Sequence, residues 1–140
     1  MPCELCNAFE NEKSRIIYSD AHVFVVPILH PIKDGHVMII PIRHAENMKD
    51  LTAEEARAFM TAANLAMDAV KKEYGVTPMF LVNGWEYRSQ PHLHAHVLPS
   101  KTNLRGLYAA SEGVVGKIEA SVEELTITAD RIRVHFSYES

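Results

Sequence analysis

No apolar run in the 140-residue chain approaches the roughly 18–20 residues that a membrane-spanning helix needs. The opening stretch MPCELCNAFE lacks both the basic and the apolar segment of a signal peptide, which predicts a cytoplasmic protein. Basic residues are in short supply. Lys and Arg number 14 against 18 Asp and Glu, a formal charge of −4, whereas a general nucleic-acid binder carries a basic excess. The balance still admits a small phosphorylated ligand held by a few local groups. Cysteine is limited to Cys3 and Cys6, a lone C-x-x-C. In a reducing compartment such a pair is more often a metal half-site or a redox pair than a structural disulfide. No βαβ pattern follows it, which weakens the redox reading, and half a zinc site needs two further ligands from histidines elsewhere. No repeat, low-complexity segment or linker divides the chain, so one domain over 1–140 is expected.

What is present reads as an α+β protein. RIIYSD and HVFVVP are short strand patterns parted by Ser19 and Asp20, and HPIKDG clusters turn residues. HVMIIP, residues 36–41, is a β-branched apolar run suited to a buried strand. Thr52 and Glu55 form a capping box. Behind it Phe59, Ala63, Ala66, Val70 and Tyr74 recur at helical spacing, with Met60 and Met67 beside them, up to Gly75 as the left-handed stop. MFLVN at 79–83 and HLHAHVL at 92–98 predict two further strands. Beyond Pro99, VVGKIEASVEEL suggests a short helix and RIRVHFSY alternates like a strand. The sum is an antiparallel sheet with one main helix across a face.

HLHAHVL carries the chemistry. In a strand successive side chains alternate faces, so His92, His94 and His96 share one face, about 6.6 Å apart per step. Leu93, Ala95 and Val97 face the other way, toward a core. Three readings of the histidine face stand side by side: a solvated face, three ligands of one metal, or a divided task of ligand, nucleophile and helper. Imidazole suits the last, because its near-neutral pKa leaves a nitrogen lone pair free at physiological pH.

With these residues the chain resembles the histidine triad (HIT) superfamily of nucleotide hydrolases and transferases. HLHAHVL matches its His-φ-His-φ-His-φ-φ signature, PIKDGHVMIIPIRH its Gly-His strand and Pro-x-x-His turn, and LVNG the strand before the triad. The likeness spans about residues 3–100 and is much weaker over 101–140. It implies a HIT-like fold of about five antiparallel strands with one main helix, and a homodimer. It also implies attack by His94 on the α-phosphorus of a nucleotide conjugate, forming a nucleotidyl-histidine that water cleaves. His96 is then the partner that hydrogen-bonds the phosphate or bridging oxygen, and the His92 carbonyl fixes the His94 tautomer. Asn83, Ser89 and Arg88 become substrate contacts. In a zinc-bearing branch the C-x-x-C pairs with the Pro-x-x-His and first triad histidines, here Cys3, Cys6, His44 and His92. That closed set is structural, and no organic cofactor is implied.

The chain also departs from the pattern. Ile28 stands where many members carry a ribose-binding Asp, and Tyr87-Arg88 replaces the usual Gly-Gln. The third histidine, His96, favours the hydrolase side over the transferase and phosphorylase branches. Alternatives to the enzyme are a weakly active nucleotide-binding or regulatory protein and a zinc-stabilised interaction domain.

Overall fold

Val37–Pro41, apolar at every position, forms a strand with no exposed face. It is the middle strand of the sheet, where both faces of a strand meet protein. The structure is a computed structural model and describes residues 3–84, 90–113, 116 and 119–136. In chain order the elements are α1 (Glu4–Asn11), β1 (Tyr18–Ser19), β2 (Val23–Pro27), β3 (Val37–Pro41), α2 (Ala53–Tyr74), β4 (Pro78–Leu81), β5 (Ala95–Pro99), α3 (Leu104–Glu112) and α4 (Val122–Arg133). Five antiparallel strands assemble in the order β1-β2-β3-β5-β4, as expected for a HIT-like α+β fold.

Register decides what each face carries. Val37 and Ile39 of β3 pair with Val97 and Ala95 of β5. These four join Val23, Val25 and Leu93 beneath Phe59, Ala62, Ala63, Ala66 and Val70 of α2. The intervening pair, Met38 and His96, faces the other way. On that side Met38 packs with Phe24, Val26, Ile40 and Leu5 of α1, and the Phe9 ring lies 4.9 Å from that of Phe24. The sheet is therefore covered on both faces, by α2 and by α1.

Helix α2 begins and ends where its sequence signals lie. The Thr52 hydroxyl accepts from the Glu55 amide, the Glu55 carboxylate accepts from the Thr52 amide, and Gly75 adopts φ 70°. Glu55 has a second task that its local sequence did not announce. Arg43 donates to both its oxygens, at 3.0 and 2.7 Å, tying the connection after β3 to the start of α2. This arginine, followed by the Thr52 amide, holds the Glu55 carboxyl down at about 2.

Residues 4–11, for which the sequence pattern predicted no element, are helical, because Leu5 and Ala8 supply a short apolar stripe for the sheet. Two local expectations are corrected. The triad segment is a strand only from Ala95. The described part of RIRVHFSY, residues 131–136, is not a strand: Arg131–Arg133 complete α4, whose first turn is capped by Ser121, and residues 137–138 lie outside the described residues. Helix caps and acid-first, base-last charges outweigh a few alternating residues. Compact units span Met1–Lys101 and Thr102–Ser140. The second contains α3 and α4, neither with a buried residue. No described helix is long and apolar enough to cross a membrane.

Candidate functional site

The three histidines of HLHAHVL have different neighbours. His92 is fully buried, its ring 4.7 Å from that of His44. Its Nε2–H donates to the Pro41 carbonyl at 2.7 Å, which leaves the Nδ1 lone pair facing Cys3 Sγ at 3.4 Å and Cys6 Sγ at 3.5 Å. His44 Nδ1 lies 3.6 Å from Cys6 Sγ. All four donor atoms fall within 4.8 Å of one another. Tetrahedral zinc with ordinary Zn–S and Zn–N bonds sets sulfur and nitrogen about 3.5–3.6 Å apart, so this group has the spacing to hold a metal ion. The backbone supports it, since the Leu93 amide donates to the Ala45 carbonyl at 2.7 Å, which brings residues 44 and 92 together. Burial, with the neighbouring Cys3, pushes the free Cys6 thiol up to about 11. An ion bound there must therefore displace a proton.

His94 is buried, and its Nδ1–H donates to the His92 carbonyl at 2.8 Å. A carbonyl only accepts, so the proton sits on Nδ1 and Nε2 carries the lone pair. The His96 ring lies against it edge-on, centroids 5.1 Å apart. His96 in turn is wired by a residue to which sequence reading assigned no role. The Ile32 amide donates to His36 Nδ1 at 3.2 Å. His36 must then be protonated on Nε2, which donates to His96 Nδ1 at 2.9 Å. That leaves the His96 proton on Nε2, the nitrogen turned away from His36. Burial, then His94 and His36, drives His96 down to about 4, and burial lowers His36. Both rings are neutral at pH 7, as the hydrogen-bond chain requires. The Gly35-His36 pair was visible in the sequence; its direction toward His96 depends on the β3–β5 register.

Asn83 is exposed two residues beyond Leu81, which pairs with His96, so it stands at the His94 end of the sheet. Arg88 and Ser89 lie outside the described residues. A cavity of about 470 Å³ opens on the α1 side of the sheet. Leu5 and Ala8 of α1, Val26, Ile28 and Met38 give it apolar walls, and Glu4, Asn7, Arg15, His30 and Gln90 line it with polar groups. The Gln90 amide donates to Glu4 at 3.2 Å. Arg15 is engaged by Glu12 at 2.6 Å and by the Pro27 carbonyl at 2.7 Å. The volume suits a small organic ligand.

A HIT domain family model matches residues 10–103. Among solved structures, a HIT-family protein from Bacillus subtilis superposes with a TM-score of 0.74 at 22% identity, over 99% of this chain and 100% of that one. A HIT family hydrolase from Clostridium thermocellum gives 0.57 at 26% identity, over 70% and 90%. The C. elegans NitFhit protein gives 0.59 at 28% identity, and the match spans 87% of this chain but 27% of that longer one. No curated protein matches the chain.

Proposed function

Because the chain belongs to the HIT domain family, whose members are nucleotide-binding hydrolases and transferases, we propose that it cleaves a nucleotide conjugate at the α-phosphorus through His94. Candidate substrates are dinucleoside polyphosphates, nucleoside phosphoramidates and related conjugates. The observation that carries this reading is the His94 tautomer, with Nδ1–H bonded to the His92 carbonyl and the Nε2 lone pair free to attack.

In the proposed reaction His94 Nε2 attacks phosphorus, the bond to the leaving group breaks with its electron pair, and a P–N bond forms. The His92 carbonyl steadies the charge that the imidazole ring then carries. His96 Nε2–H donates to a phosphoryl or bridging oxygen, a donor already in place for the transition state. Water next attacks phosphorus, the P–N bond breaks, and a nucleoside monophosphate and a proton leave. Asn83, Ser89 and Arg88 are proposed substrate contacts. Cys3, Cys6, His44 and His92 are proposed to hold structural zinc. Two thiolates and two imidazoles suit that ion and leave it no open position. A cytoplasmic homodimer is the accompanying proposal, with β4, an edge strand of the sheet, as its pairing surface.

The test is chromatographic detection of nucleotide release from a dinucleoside tetraphosphate, an adenosine phosphoramidate and a nucleotide sugar. Wild type should release AMP from at least one, and His94→Ala should lose activity by roughly 10⁴-fold or more with its melting temperature nearly kept. No release from any of them would favour a nucleotide-binding protein without turnover, with Ile28 as the first residue to restore to Asp. His92→Ala should lower zinc content and stability together; unchanged metal stoichiometry would sink the ligand set.

A further inference from the structure

We propose that the Cys3–Cys6–His44–His92 group positions the ligand site as well as the chain, by holding α1 as one wall of the 470 Å³ cavity and Gln90, two residues before His92, as part of its lining. The inference rests on the zinc and nucleotide readings above. Its first support is an interleaving. Cys3 is the N-cap of α1 and Cys6 lies in its first turn, while Glu4, Leu5, Asn7 and Ala8, from the same six residues, line the cavity. Ligands of one ion and wall of one pocket are thus a single short piece of backbone.

That piece has few other anchors. Helix α1 is eight residues long, and its N-cap side chain makes no capping bond; isolated helices so short do not hold themselves. Leu5 and Ala8 are buried and Phe9 packs on Phe24, but among the described residues the polar tie from Gln90 to Glu4 is exposed.

A neighbouring part of the lining depends on the same ion. Gln90 lines the cavity and lies two residues before His92, whose Nδ1 faces both thiols and whose carbonyl holds the His94 Nδ1 proton. One ion therefore spans the helix that walls the pocket and the segment that mounts His94. Cys3, Cys6 and His44 are positioning residues in this scheme, acting through α1 and His92. His44 is the cleanest handle, because it is a ligand that neither lines the cavity nor belongs to α1 or the triad.

The experiment compares zinc-loaded wild type, chelator-stripped wild type, His44→Ala, His44→Cys and Val70→Ala. Val70 is buried on the sheet-facing side of α2, does not line this cavity, and serves as a destabilised control. AMP binding is read by calorimetry, and amide hydrogen exchange is followed in α1 and residues 90–94. Stripping and His44→Ala should weaken AMP binding at least tenfold and speed exchange in both segments. Val70→Ala, at a similar loss in melting temperature, should bind AMP like wild type. His44→Cys, which restores a zinc ligand, should recover affinity. AMP affinity unchanged on stripping, or equally reduced in Val70→Ala, would overturn the positioning role. Zinc-loaded wild type that does not bind AMP would overturn the nucleotide reading instead. The exchange rates would then decide alone, and unchanged rates on stripping would refute the inference. A wild type that takes up no zinc refutes both.

Discussion

His36 decides which way His96 presents its proton. With the Ile32 amide on Nδ1 and His96 Nδ1 on Nε2, neither ring can flip its tautomer without stranding a buried hydrogen bond. His36→Ala removes that constraint while leaving His94 and its carbonyl partner in place. Turnover should fall about 10- to 100-fold, the scale on which orienting partners act, with substrate KM changed little. Steady-state kinetics at pH 7 tests this, and an unaltered kcat would show that His96 needs no direction from His36. At this scale the sequence was informative about chemistry and poor about wiring. Alternation in HLHAHVL marked three imidazoles, but nothing in it distinguished His92, turned toward two thiols 86 or more positions away, from His96, turned toward His36.

The elements deliver these rings through their ends. Gly35 precedes β3 with φ +88°, and a Cβ there would meet the Tyr74 ring at 2.7 and 2.8 Å. Gly35→Ala should therefore cost more than the roughly 1–2 kcal/mol of left-handed backbone strain alone, and it should move His36. Urea unfolding would register the first effect and kcat the second; wild-type stability would disprove the packing argument. Helix α2 was legible because its signals are local: a Thr52–Glu55 box, an apolar stripe, and Gly75. Thr52→Ala should cost about 1 kcal/mol by loss of the cap, measured the same way. Helix α1 was not legible, since eight residues with two buried side chains make too weak a period to read. Its existence depends on the sheet face that it covers.

Across the molecule, buried neutral histidines set a pH limit. His36 and His96 are both lowered from an ordinary value near 6.5, His96 to about 4. Above pH 6.5 folded and unfolded chains hold these rings alike, and stability is unaffected. As pH falls below about 6.5, and for His96 down toward 4, the unfolded chain takes up protons that the fold refuses. Stability should drop by up to ~1.4 kcal/mol per pH unit for each ring. Metal-free protein melted at pH 7, 6 and 5 should show a falling melting temperature, and the loss should shrink in His36→Ala; a flat profile would contradict the burial of these rings. The sequence by itself determined the α+β class, the limits of α2, the burial of β3, the core face of β5, and the residue types of the site. It could do so because helix caps, strand alternation and imidazole chemistry act within a few neighbouring positions. The family resemblance implied the Cys3, Cys6, His44 and His92 set, and the tertiary structure brings the four together; only that structure decided that Glu55 clamps Arg43 and that His36 directs His96. These are contacts between segments far apart in the chain, and their geometry exists only once the register of β3 against β5 and the docking of α1 are set.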